Sequence, residues 1–204
     1  MGNPRRHEGG NPSRKEDGKP RLRVFLAIFP PAEVQAAAAD AIERLRRDGD
    51  RVSWVKRENL HFTLRFLGDV GEDGARRAAE AAGEIATDHR AFGATLGSLG
   101  AFPDGKRARV LWVGLSQGAG PMVALARSLE QALLRRGFER ESRPFAAHLT
   151  IGRVREPGHD WSDTLSRATL PAAAWQVDRV LLIRSTLSPQ GSRYVEIAAA
   201  PLPD

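Results

Sequence analysis

Two stretches of this chain repeat one pattern, and a fold must satisfy both at once. The first is Asn59-Leu60-His61-Phe62-Thr63-Leu64-Arg65-Phe66-Leu67-Gly68; the second is Phe145-Ala146-Ala147-His148-Leu149-Thr150-Ile151-Gly152-Arg153. Each is a short apolar, β-branched run bounded by turn formers, the signature of a strand. Alternate residues of a strand share a face. His61 and Thr63 therefore point one way, as do His148 and Thr150, while Phe62, Leu64, Leu149 and Ile151 point the other way into a core. A half-buried sheet must accommodate this arrangement twice.

The remaining elements follow from periodicity and punctuation. A strand is predicted over Arg21 to Phe29, and Pro30-Pro31 stops it and opens a helix to about Arg47. Strands follow over Val52 to Val55 and Leu60 to Leu67, then an alanine-rich helix from Glu72 to about Thr87. Ala91 to Leu99 and Ala108 to Leu115 read as strands joined through Phe102-Pro103-Asp104-Gly105-Lys106. A helix runs from Pro121 to Arg136. The second motif strand spans about Ala147 to Val154, with a short helix around Asp160 to Arg167. Strands over Gln176 to Thr186 and Arg193 to Ala199 close the chain. Each half holds one motif strand with neighbouring strands and helices. The fold class is α+β: two similar lobes of mixed to antiparallel sheet, helices outside, facing each other across a cleft.

Residues 1–20 are polar and rich in Gly, Pro and charge, and are predicted to form a disordered tail; residues 21–204 make one bilobal domain. The chain has 31 Lys+Arg against 25 Asp+Glu. The tail holds five and three of these, which leaves 26 against 22 for the body. A modestly basic body suits a polyanionic ligand. Cysteine is absent, which excludes disulfides, thiolate catalysis and cysteine-ligated metal, and suits a reducing cytoplasm. No stretch approaches transmembrane length and the N-terminus lacks a signal-peptide core, so a cytoplasmic protein with no membrane partner is expected.

Histidine titrates near neutral pH, so two imidazoles facing one space can serve as base and acid in one reaction. Two hydroxyls beside them can donate to the oxygens of a bound anion. No histidine pair stands at metal-ligand spacing and no acidic cluster surrounds the motifs, so neither metal nor other cofactor is expected. Together these groups suit phosphodiester chemistry.

At these residues the chain resembles the 2H phosphoesterases, and within them the bacterial and archaeal RNA 2′,3′-cyclic phosphodiesterases, also called 2′-5′ RNA ligases. The resemblance extends to Trp54-Val55-Lys56, to Leu64-Arg65-Phe66-Leu67-Gly68, to Phe102-Pro103 with Arg109-Val110-Leu111-Trp112-Val113-Gly114, and to Arg184-Ser185-Thr186-Leu187-Ser188. It departs at Ala147, where the family often has proline. The resemblance implies hydrolysis of RNA 2′,3′-cyclic phosphate ends to 2′-phosphates, with His61 as proton donor, His148 as proton acceptor and Thr63, Thr150 and Arg153 holding the phosphate. It also implies the reverse 2′-5′ ligation, an RNA partner such as a tRNA fragment, and a monomer. The residues themselves leave acid and base unassigned. They also leave open a phosphodiesterase for small cyclic nucleotides or 2′-5′ linkages, and a binding module without turnover.

Strict alternation makes three further statements. Arg153 falls on the face opposite His148 and reaches the cleft only if the strand ends or bulges at Gly152. Arg65 shares the face of His61. Phe66 falls on the core side. Two motif-like stretches are read as connections. Gly114-Leu115-Ser116-Gln117-Gly118 matches a nucleophile elbow but is expected to be a surface loop, because Gly118-Ala119-Gly120-Pro121 separates it from a helix. Gly100 to Lys106 lacks the Ser/Thr of a phosphate-binding loop and reads as a hairpin near the cleft mouth.

Overall fold

Alternation in the first strand sets up two faces. In β1 (Leu22–Ile28), Val24, Leu26 and Ile28 enter the main core, while Phe25 and Ala27 pack on the other side with Leu181 and Ile183. Pro31 precedes α1 (Ala32–Leu45), which buries Val34, Ala38, Ile42 and Leu45 on one stripe. The computed structural model describes residues 21–47, 49, 51–156, 158–189 and 191–204, so the expected tail over residues 1–20 lies outside the described residues.

After α1 come β2 (Val52–Trp54), a 3-10 turn at Arg57–Asn59, β3 (Phe62–Val70), α2 (Glu72–Asp88), β4 (Phe92–Phe102), β5 (Val110–Gln117) and α3 (Ala119–Arg135). Then follow β6 (Leu149–Val154), α4 (Ser162–Arg167), β7 (Ala174–Val177), β8 (Arg179–Ser188) and β9 (Gly191–Pro201). The strands form one sheet in the order β7-β4-β5-β6-β3-β1-β8-β9, with β2 also paired to β6. Each of these pairings is antiparallel. The lobes are thus the two halves of one curled sheet, and residues of both share one core beneath α1, α2 and α3.

The halves meet at the two motifs. β3 and β6 pair only at Phe62↔Leu149; β3 then continues beside β1, and β6 beside β2 and β5. Phe62 and Leu149 are fully buried, which fixes the opposite face for their neighbours.

The structure corrects two expectations. The single strand predicted over Gln176 to Thr186 is two strands. β7 pairs with β4 at one edge of the sheet, and β8 pairs with β1 and β9 in the other lobe. Asp178 is the joint: its carbonyl accepts from Leu202 N at 2.7 Å and its carboxylate accepts two bonds from Arg179. The stretch around Ser116 is not a loop, because Ser116 lies in β5 and α3 starts at Ala119. Gly118 makes the abrupt turn with φ 87°, and a Cβ there would press on the Gly93 carbonyl at 2.7 Å. The Ser116 hydroxyl donates to the Leu96 carbonyl at 3.0 Å, which gives it a structural partner. Gly100 to Lys106 is the expected β4–β5 hairpin, with Phe102 opposite Val110.

Candidate active site

In the Phe62↔Leu149 bridge, His61 and Thr63 flank one core residue, and His148 and Thr150 flank the other. Antiparallel pairing sets the position of His61 against that of Thr150, and Thr63 against His148. The four polar side chains share the open face of the sheet, related by a local pseudo-twofold axis through the buried pair. Cross-strand neighbours of this kind stand roughly 5 Å apart at Cβ.

Both imidazoles are oriented alike. Nδ1 of His61 lies 2.7 Å from the Asn59 carbonyl, and Nδ1 of His148 lies 2.7 Å from the Ala146 carbonyl. A carbonyl only accepts, so Nδ1–H donates in each case and Nε2 is the unprotonated nitrogen of the neutral ring. Nε2 of His61 is 3.0 Å from the Thr63 hydroxyl.

Aromatic rings hold the two histidines. Phe29 stacks on His61 with centroids 4.9 Å apart, Phe25 lies tilted at 4.9 Å, and Tyr194 stands edge-on at 5.3 Å. His148 meets the edge of Phe102 at 5.1 Å, and Phe102 packs on Trp112 at 5.2 Å. Trp112 lies across Gly100, where a Cβ would come within 2.2 Å of the indole. The His61 pocket is the tighter, and burial lowers its pKa from 6.5 to about 4; the charges of Arg153 and His148 add to this, while the bond to Asn59 opposes it.

Arg153 does reach this face. β5 pairs Leu111 with Gly152 and Trp112 with Thr150, so Ile151 is an extra residue in β6. This bulge reverses the alternation and turns Arg153 to the side of Thr150 and Trp112. The bulge lies one residue before Gly152. β3 has the same irregularity at the same offset: β1 pairs Leu26 with Arg65 and Ala27 with Thr63, so Leu64 is extra. Two expectations are thereby overturned. Arg65 turns to the helix face, where Nε is 3.0 Å from Glu130 and Nη1 is 2.8 Å from Glu141. Phe66 turns to the open face, opposite Phe25, and remains 42 % exposed.

Sequence reasoning missed the rings around the histidines. Phe25, Phe29 and Tyr194 come from β1, the residue just after it, and β9, and only topology brings them to His61. The Phe102-Pro103 and Trp112 stretches point to the family, but not to a contact with His148. A groove of about 570 Å³ opens beside His61, lined by Phe29, Lys56, Asn59, Arg193 and Tyr194 among others. Among the described residues, no three His, Asp or Glu side chains gather into a group able to hold a metal ion.

Two His-x-Thr pairs facing each other across the midline of an antiparallel sheet define a 2H phosphoesterase. The family model described as the 2′-5′ RNA ligase superfamily matches residues 30–188, and the chain belongs to this family. It is 33% identical to an RNA 2′,3′-cyclic phosphodiesterase of Thermotoga maritima, over 85% of this chain and 91% of the relative. Among solved structures it is similar to TT0787 of Thermus thermophilus, with TM-score 0.77 and 27% identity, covering 89% and 98% of the two chains. It is also similar to E. coli LigT complexed with 3′-AMP, with TM-score 0.73 and 26% identity, covering 90% and 99%.

Proposed function

We propose that this protein hydrolyses RNA 2′,3′-cyclic phosphate ends to 2′-phosphomonoesters by paired-histidine acid–base catalysis. The observation that carries the reading is the pseudo-symmetric arrangement about Phe62↔Leu149, with each Nδ1 tied to a carbonyl and each Nε2 left to work. Names of relatives such as the Thermotoga protein supply the substrate class. In the reaction, His148 takes a proton from water, whose oxygen bonds to phosphorus. The bond from phosphorus to the 3′ oxygen breaks, and His61 gives that oxygen its proton. Thr63, Thr150 and Arg153 stabilise charge on the non-bridging oxygens. With the 5′-hydroxyl of a second RNA in place of water, the same groups join the two ends: the 5′ oxygen bonds to phosphorus as the bond to the 3′ oxygen breaks, which leaves a 2′-5′ linkage without ATP.

One observation favours exchanged roles. Among protein groups alone His61 holds its proton only below about pH 4, which suits an acceptor better than a donor. As donor, His61 must take up its proton together with the substrate, whose negative charge offsets Arg153 and His148.

The test uses a short RNA ending in a 2′,3′-cyclic phosphate, in excess EDTA. Hydrolysis to a 2′-phosphate is expected to proceed, with His61→Ala and His148→Ala each slower by roughly 10²–10⁴-fold. Loss of activity in EDTA with recovery on adding a divalent ion would refute the metal-independent mechanism. A substrate with sulfur in place of the 3′ oxygen separates the roles, because a thiolate leaves without a proton. His61→Ala should be rescued on it and His148→Ala should not; the opposite pattern assigns His61 as acceptor.

A further inference from the structure

Asn59 opens the first motif stretch, and its carbonyl is the acceptor that holds Nδ1–H of His61 at 2.7 Å. That carbonyl lies outside the sheet ladder: Asn59 ends the 3-10 turn, and β3 starts only at Phe62. Its position therefore depends on how the turn is anchored. Inside the turn, Asn59 N donates to the Lys56 carbonyl at 2.9 Å and Leu60 N to the Arg57 carbonyl at 3.1 Å. Towards α1, Arg57 Nη2 donates to the Ala32 carbonyl at 2.7 Å, and Gln35 Nε2 to the Leu60 carbonyl at 3.0 Å. On the other side Asn59 itself reaches out: its Nδ2 donates to the Ser192 carbonyl of β9 at 2.8 Å.

This last bond spans a wide gap. β9 stands three places from β3 in the sheet, across β1 and β8, roughly 14 Å if the sheet were flat. The curl of this half of the sheet brings the start of β9 to the turn. It also sets Tyr194, two residues after Ser192, edge-on to His61 at 5.3 Å. β9 thus acts on the histidine twice, through the Tyr194 ring and through the carbonyl that the Asn59 amide anchors. The second motif has no equivalent: its matching carbonyl belongs to Ala146, whose side chain has no donor.

The anchored carbonyl matters for the proton that His61 carries. Whether the ring gives or takes a proton, Nδ1 keeps its own, and exchange occurs at Nε2, 3.0 Å from the Thr63 hydroxyl. A carbonyl that drifts frees the ring to turn, or to move its proton from one nitrogen to the other, and Nε2 then loses its aim. Burial lowers the His61 pKa, and the bond to this carbonyl opposes that by favouring the charged ring.

We propose that the Asn59 side chain is a positioning residue for His61: by donating to the Ser192 carbonyl it fixes the backbone carbonyl that orients the imidazole. The proposal rests on the paired-histidine reading above and names the residue that aims one of the two histidines.

Two measurements test it. NMR of isotope-labelled histidine, without substrate at neutral pH, reads which ring nitrogen carries the proton. His61 should be in the Nδ1–H form in the wild type and a mixture of both forms in Asn59→Ala, with His148 unchanged. Asn59→Asp keeps the side-chain shape without the donor and should give the same result as Asn59→Ala. The second measurement is a double-mutant cycle on the cyclic-phosphate RNA. Asn59→Ala should lower kcat by roughly 10- to 100-fold with KM little changed, and should add no further loss to His61→Ala. An unchanged His61 proton position in these variants, or an equal loss in both backgrounds, would make Asn59 structural and overturn the proposal. Inactive wild type would instead refute the cyclic-phosphate reading, and the proton position would still decide the role of Asn59.

Discussion

Acid should weaken the fold through His61. Its pKa falls from the ordinary 6.5 to about 4, mainly because burial among Phe25, Phe29 and Tyr194 disfavours the imidazolium. An unfolded chain takes up this proton below about 6.5, whereas the folded chain resists until about 4. The contribution is therefore fully present above pH 6.5 and is lost as pH falls through this window. The interval from 6.5 to about 4, at about 1.4 kcal/mol per tenfold change in proton affinity, is worth roughly 3 kcal/mol. His61→Asn keeps a donor for the Asn59 carbonyl without a titrating group. Urea denaturation at pH 7.5, 6, 5 and 4 gives unfolding free energies for both proteins. The variant is the less stable at neutral pH, having lost ring packing, but the gap should move by roughly 3 kcal/mol in its favour by pH 4. Exposed carboxylates such as Asp73, Glu84 and Asp104 are held below their usual range by bonds from Arg76, Arg136 and Arg107. They weaken both proteins alike and cancel in the difference. Parallel pH curves for the two proteins would refute the argument. Arg153→Gln removes a charge that opposes protonation of His61, so it should shift the window to higher pH.

Arg65 ties β3 to Glu130 of α3 and to Glu141 on the approach to the second motif, with only 11% of its side chain exposed. Arg65→Met should cost roughly 3 kcal/mol in urea unfolding by leaving Glu130 without its cation, with only the Glu141 N–H still donating to it, and a loss below about 0.5 kcal/mol would mean that the network is solvated. Ser116→Ala should leave turnover of the cyclic-phosphate RNA unchanged; a large loss would restore the serine as a nucleophile.

The four motif residues were legible because each sits within one residue of the Phe62↔Leu149 bridge, where strict alternation holds. Legibility ended at the next residues, Leu64 and Ile151, since an extra residue in a ladder leaves no mark in hydropathy: both are apolar and both are buried. Arg65 and Phe66 were misassigned for that single reason, and Arg153 lies on the open face only because of the bulge. The break at Asp178 left no mark of this kind either: Trp175 and Val177 are buried, and so are all of Val180 to Ile183, so both parities continue past it. A histidine motif in a sheet is thus readable from local sequence, whereas what stands beyond it depends on ladder register. Register is fixed by neighbouring strands: β1 for the first motif and β5 for the second. Because both strands bulge three residues after their histidine, the cleft gains its fifth-position residues as a pair. The two differ in kind, a cation on one side and a ring on the other, so the near-symmetry of the motifs ends at this position.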